Sequence, residues 1–155
     1  MIADKKSNLQ AKVRNPLAKI IALDIGGKRT GIAETDFLKI VASPLETIAT
    51  ENLLEKLKKM WEAEKFEAII IGEPIGLDGG DSDNSERVRD FRRQIEKQFP
   101  NIIVDLQDER FTSKMAKDLM ISGGMKKKQR RQKGEIDKIS AAVILQAYLS
   151  RGSGY

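Results

Sequence analysis

The 155-residue chain contains no histidine and no cysteine. Without cysteine there can be no disulfide framework, no thiol nucleophile and no thiolate metal site. Without histidine the common general base, the Ser-His triads and the usual zinc ligands are also excluded. Long apolar runs are missing too. Stretches such as Ile20 to Leu23 and Ala68 to Ile71 are far too short to span a bilayer. Residues 1 to 18 are polar and basic, with no apolar segment of the signal-peptide kind. The expectation is therefore a cytoplasmic protein with no membrane partner. Any catalysis must rest on carboxylates, lysines, hydroxyls or a hard metal ion held by oxygen.

What is present suits one folded domain. About 40% of the residues are apolar, enough to fill a core at this length. The expected organisation is a flexible tail over 1–18, a single domain over 19–150 and a short tail over 151–155.

The net charge of +5 is unevenly placed. From Arg110 onward there are 11 basic and 3 acidic residues, whereas the first 109 residues carry 17 basic and 20 acidic. The densest run is Lys126-Lys127-Lys128-Gln129-Arg130-Arg131-Gln132-Lys133, preceded by Gly123-Gly124. Like charges at this density repel, so a mobile solvated loop is one reading. A basic arm for phosphates is the other, and the two are compatible.

Along the chain, Lys19–Ile25 reads as a buried strand and Thr30–Thr35 as a second, joined by a tight turn at Gly26-Gly27. A third extended segment runs from about Lys39 to Ile48, with Pro44 marking it as an edge. Residues 51–65 show helical spacing through Leu53, Leu54, Leu57, Met60 and Trp61. A strand at 67–71 stops at Gly72-Glu73-Pro74, and a polar loop follows from Leu77 to Asn84. A helix over 85–98 turns Val88, Phe91, Ile95 and Phe99 inward, and a fifth strand covers 101–107. Thr112 can cap a helix to about Ser122. The last helix, 135–150, carries apolar residues at Ile136, Ile139, Val143 and Ala147. The order predicts an α/β protein with a five-stranded mixed sheet, its first three strands antiparallel, and helices on both faces.

Three carboxylates stand out. Asp24 lies inside an apolar run near the end of the first strand, where an aspartate is costly unless paired or metal-bound. It could equally accept bonds from the Gly26-Gly27 backbone. Glu109 follows the fifth strand, beside Arg110, with which it could simply pair on the surface. Asp137 opens the last helix, a favourable place for any acid. It shares a helical face with Ala141, Ile144 and Tyr148, and small Ser140 and Ala141 would let that helix approach the sheet closely. Together the three could hold Mg²⁺ or Mn²⁺ with oxygen alone, and a pair of such ions can activate water against a phosphodiester.

At these residues the chain resembles the YqgF family of ribonuclease H-like proteins, also described as RuvX-type Holliday junction resolvases and pre-16S rRNA nucleases. The resemblance runs over about 19–150. Its motifs are Ala22-Leu-Asp24-Ile-Gly26-Gly-Lys28-Arg29-Thr-Gly31-Ile-Ala33, Pro44-Leu-Glu-Thr-Ile48, Gly72-Glu-Pro74, Glu86-Arg-Val88, Asp108-Glu109-Arg110-Phe-Thr112 and Asp137 to Gln146. It implies a ribonuclease H-like fold and a catalytic, metal-binding triad of Asp24, Glu109 and Asp137. Asp24 would bridge two Mg²⁺ or Mn²⁺ ions, with the other two completing the cage. It further implies that Lys28 and Arg29 hold the phosphate being cut, with Arg110 a second candidate. The departures are mild. Gly27 stands where many relatives have threonine, Ser140 where alanine is usual, and Glu73 where many have a non-acidic residue. Glu73 would be a fourth ligand if its strand ends beside Asp24.

The leading expectation is a metal-dependent endonuclease acting on structured nucleic acid, processing the 5′ end of pre-16S rRNA in ribosome biogenesis. Lys126, Lys127, Lys128, Arg130 and Arg131 would supply the substrate-binding arm. The partner would be pre-rRNA or branched DNA, and the protein a monomer or homodimer. A Holliday junction resolvase is the alternative, and would need two active sites in a symmetric dimer. A non-catalytic nucleic-acid-binding domain is a second alternative. An actin-like ATPase is disfavoured because the chain is too short for two lobes.

Overall fold

In a computed structural model, the description covers residues 18–74, 84–109 and 133–152. Five strands form one sheet: β1 (Lys19–Ile25), β2 (Arg29–Thr35), β3 (Ala42–Ala49), β4 (Phe66–Glu73) and β5 (Ile103–Asp108). Their spatial order is β3-β2-β1-β4-β5. β1 pairs antiparallel with β2, and β2 with β3. β4 pairs parallel with β1 and with β5. Four carboxyl ends, those of β1, β3, β4 and β5, therefore emerge at the same side of the sheet, together with the β1–β2 turn.

β1 and β4 are central and nearly all buried, which explains their continuous apolar reading. β3 is an edge strand, as Pro44 predicts. It starts at Ala42 rather than near Lys39, because Asp36 organises a turn ahead of it. The Asp36 carboxylate accepts from the backbone N–H groups of Ile40 (2.8 Å) and Val41 (3.0 Å). These bonds hold its carboxyl below the usual range, and Lys39 takes a left-handed φ of 59° within the turn.

A single 3-10 turn (Thr50–Asn52) leads into α1 (Leu53–Ala63). α1 and α2 (Ser85–Gln98) belong to the face that carries Ile21, Leu23, Ile25, Ile69 and Ile71. Leu53, Leu57, Val88, Ile95 and Phe99 are buried in that cluster, with Leu54, Met60, Trp61 and Phe91 at its margin. Each fully buried leucine or isoleucine there contributes about 1.5–3 kcal/mol. Trp61, Phe66 and Phe99 close one end through mutual contacts, two edge-on and one tilted, with ring centroids 5.2–5.8 Å apart.

The third helix, α3 (Lys133–Gly152), covers the other face. Of the two stripes in its sequence, the one carrying Ala141, Ile144 and Tyr148 meets the sheet, as the small residues at 140 and 141 predict, rather than that of Ile136, Ile139, Val143 and Ala147. Ala141, Ile144 and Leu145 are buried against Ile20, Ala22, Ala33, Ala68 and Ile70, with Tyr148 and Leu149 beside them. α3 is apolar on more than one side, so periodicity alone does not single out the face that meets the sheet. The predicted 112–122 helix, Arg110, the 126–133 basic run and most of the 77–84 loop lie outside the described residues. Among the described residues, no helix is long and apolar enough to cross a membrane.

Candidate active site

The site is built on the α3 side of the sheet. Side chains alternate along a strand, so Asp24 shares the face of Ala22, and Gly72 that of Ile70. β5 extends its ladder by one residue, with the Glu109 N–H donating to the Glu73 carbonyl at 3.2 Å. This places Glu109 in the same alternation as Ile103, again on the α3 side. Two glycines make the room. Gly31 lies directly opposite Asp24 in the β1–β2 ladder. A Cβ there would stand 1.9 Å from the carbonyl oxygen of Asp137, so the first turn of α3 rests on bare β2 backbone. A Cβ on Gly72 would stand 2.6 Å from Glu109 Oε2 and from Ile144 Cδ1. The two glycines thus admit Asp137 from one side and Glu109 from the other.

Asp24 and Glu109 are hydrogen-bonded through their carboxyl groups. Two carboxylates in contact cannot both ionise cheaply, and one must keep the proton. Burial, then the Asp24 charge and the shared hydrogen bond, push Glu109 up to about 8. Burial also raises Asp24, to about 6; the bond from Glu109 opposes that rise, and the charge of Asp137 adds to it. Asp137 is thus close enough to be felt electrostatically. Its own carboxylate, about a quarter exposed, pairs with Arg29, with Nε to Oδ2 at 3.1 Å. Among the described residues, no three carboxylates close around one point as a ready metal cage. Two of the expected three meet directly, and the third is turned to a guanidinium.

Lys28 is exposed on the β1–β2 turn. Glu73 falls on the opposite face, since it alternates with Gly72, and so stands apart from Asp24. Arg110, Lys126, Lys127, Lys128, Arg130 and Arg131 lie outside the described residues.

Two supports of the turn escape sequence reasoning. Thr50 is buried and donates its hydroxyl to the Gly26 carbonyl at 2.7 Å. Its single proton is thereby used, so Thr30 donates to Thr50, at 2.9 Å. The Thr50 backbone N–H donates to the Lys28 carbonyl at 3.0 Å. Asn84 donates to the Ile25 carbonyl and accepts from Arg87, whose guanidinium would lie 3.4 Å from a Cβ on Gly27. Neither residue carries a signal in the sequence beyond being polar. Gly31 does, since a glycine inside a strand pattern marks a close approach, whereas Gly72 reads as a strand stop although β4 runs on through Glu73.

A family profile described as "RuvX: Holliday junction resolvase" matches residues 18–151. The chain belongs to the RuvX family. Among its relatives, a protein of Christiangramia forsetii named "Putative pre-16S rRNA nuclease" is 46% identical over 133 residues, spanning 86% of this chain and 98% of that one. A protein of Phocaeicola vulgatus with the same name is 44% identical, over 86% and 96% of the two chains. The structure of T. thermophilus RuvC in complex with Holliday junction substrate superposes with a TM-score of 0.54 at 16% identity, covering 87% of this chain and 96% of that one. That likeness establishes the ribonuclease H-like fold. As a RuvX protein the chain is a nuclease, a hydrolase acting on ester bonds.

Proposed function

We propose that this RuvX protein is a divalent-metal-dependent endonuclease of the cytoplasm that trims the 5′ end of pre-16S rRNA. The observation that carries the metal dependence is the Asp24–Glu109 pair. Two half-buried carboxyl groups are held together at the carboxyl edge of the sheet, with a third acid beside them and no histidine anywhere. An all-oxygen donor set of this kind suits Mg²⁺ or Mn²⁺. Asp24 and Glu109 would hold the metal and Asp137 would join them. The bound metal, as one ion or two, supplies an activated water and charge stabilisation for the leaving oxygen.

The chain's own groups do the rest. Glu109 gives up its proton to solvent before it can act as a ligand. Lys28, on the exposed turn, meets the phosphate backbone, and Arg29 lies behind it, nearer the acids. Arg110 and the basic run 126–133 extend the cationic surface and make binding salt-sensitive. The names of the relatives favour RNA, whereas the family description favours a four-way DNA junction.

One experiment separates these. A labelled pre-16S rRNA fragment and a labelled four-way DNA junction are each incubated with Mg²⁺ or Mn²⁺ and with the metal chelated. The expected result is metal-dependent cutting of the RNA at a discrete site, abolished in Asp24→Asn without loss of binding. Cutting of the junction alone would replace the RNA assignment, and equal cutting by Asp24→Asn would remove the catalytic one.

A further inference from the structure

Arg29 and Asp137 come from opposite parts of the chain, 108 positions apart, yet meet at 3.1 Å beside the Asp24–Glu109 pair. The geometry of β2 explains why. Arg29 and Gly31 are two residues apart, so they face the same side, the side that α3 covers. Gly31 lets the backbone of Asp137 touch the sheet, and Arg29 then reaches its carboxylate. The Arg29 side chain is 40% exposed and that of Asp137 26%, so the pair sits at the mouth of the site with one side open to solvent. The contact runs through Nε, which leaves the two terminal nitrogens of the guanidinium for other acceptors.

We infer that Arg29 is a positioning residue that competes with the divalent ion for Asp137. It holds that carboxylate in place in the metal-free protein, then releases it when the ion binds. The freed guanidinium stays tethered at the start of β2, where the phosphate of the substrate replaces Asp137 as its partner. Arg29 would thereby link metal loading to substrate binding, each favouring the other. This inference rests on the metal-dependent reading above. It goes beyond it by assigning Arg29 a role in the metal-free state.

The test is Mn²⁺ binding by the full chain, followed by calorimetry and by the electron paramagnetic resonance of free Mn²⁺. Wild type, Arg29→Gln, Arg29→Lys, Lys28→Gln, Asp137→Asn and the double variant Arg29→Gln/Asp137→Asn are compared, each checked for an intact melting transition. Arg29→Gln is expected to bind Mn²⁺ several-fold more tightly than wild type. Arg29→Lys, which keeps the charge, is expected to stay near wild type. Lys28→Gln serves as the control for a general loss of positive charge and should change affinity less. On the Asp137→Asn background, Arg29→Gln should bring no gain. A short RNA hairpin with a hydrolysis-resistant phosphorothioate backbone should raise the Mn²⁺ affinity of wild type more than that of Arg29→Gln.

A purely structural Arg29 would lower the melting temperature and leave Mn²⁺ affinity alone. That result would overturn the inference, as would an equal gain from Lys28→Gln, a gain that persists without Asp137, or equal enhancement by the hairpin in wild type and Arg29→Gln. Failure of every protein, wild type included, to bind Mn²⁺ would overturn the metal-dependent reading itself and this inference with it.

Discussion

The two faces of the sheet are built from different residues to different ends. On the α1/α2 side, Ile21, Leu23, Ile25, Ile69 and Ile71 meet Leu53, Leu57, Val88, Ile95 and Phe99, large side chains that hold the helices at ordinary packing distance. On the α3 side, the corresponding positions include Ala22, Gly31, Ala33, Ala68 and Gly72. Small residues forgo apolar area, and in return the helix comes down until its backbone touches the strand. One face supplies most of the stability, and the other accepts a thinner interface so that α3 can carry an acid up to Asp24. Acids that are costly to bury then collect where the packing is leanest.

Breaking this contrast at its tightest point should have the largest effect. Gly31→Ala has no room at all, because the neighbour is α3 backbone rather than a movable side chain. It is expected to remove nearly all cutting and to destabilise by about 3 kcal/mol, as overpacking does. Activity assays and urea unfolding on the same preparation would check both. Leu57→Ala, on the bulky face, should cost about 2–5 kcal/mol in urea unfolding. The kcat of its folded fraction should nevertheless hold. A proportional fall in kcat would mean that the two faces are not separable in this way.

Glu109 sharpens the comparison through pH. Its carboxyl is raised to about 8, so the metal-free fold binds a proton that the unfolded chain, with ordinary carboxyls, has already released. Stability of the metal-free protein should therefore fall as pH rises from about 5 towards 8. Glu109→Gln should flatten that slope and raise the melting temperature at pH 8. Cutting should run the other way, rising with pH through the same window as Glu109, the proposed metal ligand, deprotonates. The smallest effect belongs to Glu73→Gln. Glu73 faces away from Asp24, so cutting and Mn²⁺ affinity should match wild type in parallel titrations.

Much of the framework can be read from the residues alone. Apolar runs and Gly-Gly or Pro punctuation place β1, β2, β4 and the α2 span, and Pro44 marks the edge. The start of β3 is not legible, because a side chain six residues upstream, Asp36, decides where the ladder begins. The sheet-facing side of α3 is legible through its small residues, since Ser140 and Ala141 mark the stripe of Ala141, Ile144 and Tyr148, although apolar periodicity alone offers a second stripe. The acids of the site are visible as types in a pattern. What a sequence does not display is pairing at a distance: that Glu109 would share a proton with Asp24, and that Asp137 would be met by Arg29.

Thr50 has a consequence for the energetics of binding. Its hydroxyl and backbone N–H tie down Gly26, Thr30 and Lys28, so the β1–β2 turn is already fixed from beneath. A loop that must freeze around its ligand loses about 1–2 kcal/mol of backbone entropy per residue ordered. Here that loss is taken once, during folding, so the turn's proposed role in meeting substrate does not repeat it at each encounter. Thr50→Val would keep the shape of the residue and cut the hydroxyl tether, changing a stiff turn into one that, in its proposed role, every incoming phosphate has to organise afresh.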